Sequence, residues 1–171
     1  MIRIVSYIFL LTLLSTTVSF GQKKLNSSLY NYTVIIPDSL IETTDPGNDS
    51  EKTYFDDVSG IVLMITGRDG IYDNSNSYMN CSKKDLERQL KDYQGDSTLK
   101  LISCSKSKYY TAEAVTLQFE THVLPQGFNR CLIYFIHHKN KEIQFSFMYD
   151  KADINSSIAY IDGIMHTLKL F

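Results

Sequence analysis

Four histidines and three cysteines carry the widest chemical repertoire in this 171-residue chain. His137 and His138 are neighbours in an apolar run, Arg130–His138 (RCLIYFIHH). Neighbours on a strand point to opposite faces, so these two cannot chelate one ion. A metal site would need His122 or His166 beside one of them. Acid–base chemistry would pair His122, His137 or His166 with a carboxylate. Neither a G-x-S-x-G segment nor a papain-like one supplies a nucleophile.

Cys81, Cys104 and Cys131 form an odd set without C-x-x-C spacing, so neither a redox nor a zinc motif is present. Cys131, inside the apolar run, is expected to be a small buried hydrophobe. Cys104 is read as an inert thiol or as half of a bridge to Cys81. Asp56-Asp57 and Asp69 lack the spacing of a calcium loop and read as loop acids. Gly67-Arg68-Asp69-Gly70 lacks the glycine pattern and the Lys-Ser/Thr pair of a phosphate loop. The sequence assigns no catalytic, cofactor-binding or metal-binding residue, and it implies no cofactor.

The elements that must position these residues are clearest in the last third of the chain. Arg130–His138 is apolar at nearly every position, which implies cover on both faces. Lys139-Asn140-Lys141 is read as a three-residue turn with Asn140 at its left-handed position. That turn would set Ile133 and Phe135 beside Phe145 and Ile143; a two-residue turn would bring Tyr134 and Ile136 there instead. Glu142–Tyr149 alternates, burying Ile143, Phe145, Phe147 and Tyr149. A helix follows, capped by Asp153, Asn155 or Ser156, with Ile158, Ile161, Ile164, Met165 and Leu168 as its apolar stripe. Gly163 is read as an allowance for close packing on the sheet.

Upstream, Gln22–Leu29 is polar and aperiodic and reads as a loose leader. Tyr30–Ile36 and Ile61–Thr66 read as strands, with a doubtful one at Tyr54-Phe55. Ser82–Tyr93 is the clearest internal helix: Ser82 and Asp85 approximate a capping box, and Leu86, Leu90 and Tyr93 form its buried stripe. Strands are expected over Thr98–Cys104 and Tyr110–Glu120, with a turn at Lys106-Ser107-Lys108. Short connections between consecutive strands imply antiparallel pairing. The expected fold is α+β: one antiparallel β-sheet with helices packed on both faces.

The first residues have the pattern of a secretory signal peptide. Arg3 precedes an apolar core, Ile8–Leu14, and Ser19-Phe20-Gly21 places small residues where a signal peptidase reads. The core is too short to span about 30 Å of hydrocarbon. Residues 1–21 are therefore expected to be removed, leaving residues 22–171 as a single domain, secreted or periplasmic and not inserted in a membrane. The mature chain would carry 16 basic and 19 acidic residues. So weak a net charge offers no footprint for nucleic acid or an anionic membrane. Five N-x-S/T triplets, starting at Asn26, Asn31, Asn48, Asn80 and Asn155, are assigned no function.

Three words in the chain carry a resemblance: Tyr32-Thr33-Val34-Ile35-Ile36-Pro37-Asp38, the hairpin over 130–149, and His166-Thr167-Leu168-Lys169. With the order of elements, they resemble the PsbP/Mog-like family of extrinsic photosystem, nuclear Ran-binding and exported bacterial proteins. Many members carry an aromatic residue soon after the Pro-Asp, where this chain has Ser39-Leu40 and no Trp. The resemblance implies an α/β/α sandwich and a non-enzymatic, binding or accessory character, and it transfers no site residues. The leading expectation is an exported non-catalytic domain that binds an unknown protein or small ligand in the cell envelope. Alternatives are an immunity-type protein neutralising an exported toxin, a hydrolase using a His–acid pair, and a ligand carrier with an apolar cavity of about 300 Å³ or more.

Overall fold

A computed structural model describes residues 21–43, 51–70, 82–109, 112–124, 127–150 and 154–171. In chain order the elements are β1 (Gln22–Ser27), β2 (Tyr32–Pro37), β3 (Ile41–Thr43), β4 (Glu51–Asp56), β5 (Ile61–Asp69) and α1 (Lys83–Gln94). There follow β6 (Lys100–Tyr109), β7 (Ala112–Glu120), β8 (Arg130–His138), β9 (Lys141–Tyr149), α2 (Ile154–Met165) and β10 (Lys169–Leu170). The fold is α+β, dominated by antiparallel strands.

The strands form two sheets where the sequence implied one. A seven-stranded sheet runs β3-β4-β5-β9-β8-β7-β6, and a three-stranded sheet runs β1-β2-β10. The final hairpin holds the middle of the larger sheet. Every residue of β8 except His138 is buried, as its continuous apolar run implied. Alternate residues of β8 enter two separate cores. Leu132, Tyr134 and Ile136 join Leu63, Ile65, Phe145, Phe147 and, from α2, Ile161, Ile164 and Met165. Cys131, Ile133 and Phe135 join Val115, Leu117, Phe119 and, from α1, Leu86 and Leu90.

The β8–β9 turn has two residues, not three. Lys139 and Asn140 both take positive φ, 50° and 58°, the pattern of a type I′ turn. Its twist matches the strands it joins, and this outweighs the cost of a left-handed lysine. The register is therefore Tyr134 opposite Phe145 and Ile136 opposite Ile143, against the preferred reading.

Helix α1 begins as its sequence indicates. The Ser82 hydroxyl accepts from the Asp85 amide and donates to the Asp85 carboxylate, and Gly95 ends the helix at φ 66°. The Glu87 carboxylate then accepts from the Leu101 amide, and Lys83 donates to the Ile102 carbonyl beside an irregularity in β6. Lys106-Ser107-Lys108 lies within β6 and is no turn, because β6 pairs with β7 as far as Tyr109. At α2 the position before Ile154 lies outside the described residues, while Asn155 and Ser156 are already inside the helix. Gly163 is exposed, and a Cβ there would meet no atom within 4 Å, so close packing does not explain it.

The expected loose leader is strand β1. Alone QKKLNS has no apolar face, but each residue pairs with β2, from Gln22 opposite Pro37 to Ser27 opposite Tyr32. At the other end, the Thr167 hydroxyl accepts from the Ile35 amide and lies 3.1 Å from the Ile35 carbonyl, holding β10 against β2.

Candidate functional site

The two-residue turn sets His137 opposite Glu142. The imidazole Nε2 lies 3.2 Å from the carboxylate, with side-chain exposures of 6% and 4%. A buried pair of this kind contributes little net stability while intact, and losing one partner is costly. It braces the hairpin; general acid–base work would require a substrate to reach it. His138 points to the other face, as expected, and its Nε2 is 3.2 Å from the main-chain oxygen of Phe171. The His122 amide donates to Asp96. His166 lies just after α2, where its Nδ1 donates to the Asp162 main-chain oxygen at 2.7 Å. Among the described residues, no group of three or more His, Cys, Asp or Glu side chains could hold a metal ion.

Of the three His named for acid–base work, His166 reaches an open cleft. This cleft, of about 300 Å³, is formed with Lys108, Tyr109, Asp162, Met165 and Leu168. Burial and then the Asp162 carboxylate push Tyr109 up to about 12, so its phenol stays protonated. The cleft thus holds an imidazole, a carboxylate and a cation, but no Ser, Thr or Cys side chain among its lining residues.

Two carboxylates that could suggest chemistry are structural. Asp56, read as a loop acid, is buried. It accepts from Ser39 and Tyr160 hydroxyls and from the Val58 and Ser59 amides at 2.8–3.2 Å. Burial works to raise its pKa, but these hydrogen bonds outweigh it and hold the carboxyl below its ordinary value. Asp96 accepts from the Thr98 amide, the Thr98 and Thr121 hydroxyls and the His122 amide. The Thr121 and Thr98 hydroxyls hold it well below the carboxylate range. Asp69 pairs with Lys141 at 3.5 Å.

Cys131 is buried as expected, and burial pushes its thiol up to about 12. Cys104 is exposed, with burial of part of its surface raising its pKa. Cys81 lies outside the described residues, and with it the alternative reading of Cys104 as half of a bridge.

One group of residues was not singled out from sequence. Lys24 and Leu25 on β1, Tyr30 and Tyr32, and Lys52 and Tyr54 on β4 line a cavity of about 240 Å³ between the two sheets. Reading Gln22–Leu29 as a leader removed the wall that β1 supplies.

No family model and no curated protein matches the sequence. The chain has a PsbP-like fold. Cyanobacterial PsbP (CyanoP) from Synechocystis sp. PCC 6803 superposes with a TM-score of 0.67 at 12% identity, covering 92% of this chain and 96% of that one. A Bacteroides thetaiotaomicron VPI-5482 protein superposes with a TM-score of 0.54 at 17% identity, over 89% of this chain and 49% of that one. The chain therefore spans about half the length of that second protein. No described helix is long and apolar enough to cross a membrane.

Proposed function

We propose that this protein is an exported accessory domain that binds a protein or small ligand in the cell envelope and performs no catalysis of its own. The observation carrying the reading is the PsbP-like fold, matched over nearly the whole of both chains. The histidines support it by their placement: one braces the central hairpin, and two others contact main-chain oxygens. The reading includes removal of residues 1–21, with residues 22–171 as one domain. The first strand begins at Gln22, the residue that cleavage would leave at the front. It also includes the layer order, α1 against one face of the larger sheet and α2 against the other, supported by the two separate cores.

The test is expression of the full chain in a bacterial host, with mass spectrometry of the exported product and affinity capture from the native envelope. A start at Gln22 and one stoichiometric partner, confirmed with purified components, support the reading. Retention inside the cell, or turnover of a generic ester or peptide panel by purified protein, overturns it. Turnover lost on changing His166→Ala would move the assignment to acid–base chemistry in the α2 cleft.

A further inference from the structure

The cavity between the sheets has a construction that the fold alone does not require. Its floor follows from the β4–β5 register. Lys52 pairs with Ile65 and Tyr54 with Leu63, so Lys52, Tyr54 and Ile65 share the face toward β1. Gly67, next on that face of β5, contributes no side chain. The Tyr30 ring occupies that bare patch: a Cβ on Gly67 would come within 2.2 Å of it. The Lys141 ammonium lies 5.4 Å from the centre of the same ring and also donates to the Leu29 carbonyl. Tyr32 is fixed edge-on to Phe145 at 5.6 Å. Both aromatic walls are thus held in place.

The lining charges are cationic, and one acid outside the lining, Glu42, sits against them. Lys24 and Lys52 line the cavity, and no lining residue is an acid. Glu42 pairs with Lys52 at 3.0 Å, but both side chains are about half exposed, so the pair is readily exchanged. The Tyr54 hydroxyl is buried and faces the Glu42 carboxylate without making a hydrogen bond of good geometry. A buried donor left unmade is costly, and an acceptor arriving in the cavity would recover that cost. Burial, followed by the Glu42 carboxylate, raises the Tyr54 pKa far above its ordinary value, so the hydroxyl keeps its proton.

The geometry points to a binding site for a small carboxylate with a flat apolar body. The carboxylate takes the place of Glu42 on Lys52 and the Tyr54 hydroxyl, and the body lies against Tyr30, Tyr32 and Ile65. This inference deepens the binding reading above and rests on it.

The test uses benzoate as the probe, with benzamide and inorganic phosphate as comparators, followed by NMR and calorimetry on the folded protein at neutral pH. Saturable benzoate binding is expected, with benzamide weaker by about tenfold or more, since the amide forfeits the charge-assisted bonds. Tyr54→Phe keeps the ring and should weaken benzoate several-fold. Gly67→Ala drives the Tyr30 ring into the cavity and should abolish binding. If Gly67→Ala does not fold, Tyr54→Phe decides alone. Equal binding of benzoate and benzamide, phosphate binding as tightly as benzoate, no binding at all, or a folded Tyr54→Phe with unchanged affinity each overturns the site. A stoichiometric envelope partner recovered by a protein that ignores benzoate would remove this site and leave the accessory reading intact.

Discussion

Asp56 shows how one side chain can hold several elements together. Its carboxylate gathers donors from the β2–β3 turn, the β4–β5 turn and α2. Tyr160→Phe removes one donor and leaves the others. A hydrogen bond to a charged group contributes about 1.5–3 kcal/mol, so this substitution should cost up to that much in urea melts at pH 7. The Asp56 carboxyl is depressed below 3.8 in the folded state. Its contribution is therefore present above the unfolded pKa and disappears as pH falls through the folded one. Tyr160→Phe should raise the acid-unfolding midpoint as well as lower stability at neutral pH. An unchanged midpoint would mean that the hydroxyl does not support the charge. Alkali acts through other residues. Burial pushes Tyr32, Tyr109 and Tyr160 up to about 12, so their contribution is intact below the unfolded value of 10.0 and is lost as pH rises through about 12. A phenolate-absorbance titration should show a late step coinciding with loss of the near-ultraviolet dichroism.

At the scale of elements, α2 carries a removable weakness. With nothing within 4 Å of its missing Cβ, Gly163→Ala should stabilise the protein by roughly 0.8–1.0 kcal/mol, the propensity difference between the two residues. A thermal melt that moves downward would show that the space is used. The same helix indicates where sequence is readable. Of the stripe read from Ile158, Ile161, Ile164, Met165 and Leu168, helical spacing, a local property, placed Ile161, Ile164 and Met165 in the core; Ile158 is half-buried, and Leu168 is buried beyond the end of the helix. The β8 run was readable for the same reason. What escaped was set by partners. Strand β1 has no apolar face of its own and exists through β2, while β10 is too short to show any period. The register of the last hairpin turned on whether Lys139 accepts positive φ, which its residue type disfavours. The cavity suffered doubly, because one wall is β1 and another is Tyr30, which sits in the turn before β2 and not on the strand.

Across the whole molecule, stability is concentrated in the middle of the larger sheet. Phe147 on β9 is fully buried, whereas Ile41 on β3 is 61% exposed. Phe147→Ala should cost about 3–5 kcal/mol, a large share of the 5–15 kcal/mol that holds most domains together. Ile41→Ala should stay within about 0.5 kcal/mol. Comparable losses at the two sites in denaturant melts would contradict this placement of the core. The sheet's two ends are protected differently. At one end β3 is only three residues long; at the other, β6 runs for ten but shows Lys100, Lys106 and Lys108 to solvent. Such lysines discourage edge-to-edge association, so replacing Lys106 and Lys108 by valine should produce concentration-dependent oligomers in light scattering.

The strand order has a consequence in time. In the larger sheet, strands from the first half of the chain meet those from the second at one seam, β5 against β9. The smaller sheet likewise receives its third strand, β10, from the far end of the described chain. Such distant pairings form slowly, because the intervening chain must be closed before any contact rewards it. A nascent polypeptide emerging amino end first would therefore stay pliable until its final hairpin arrived, the state a chain needs if it is to be threaded through a narrow pore before it sets.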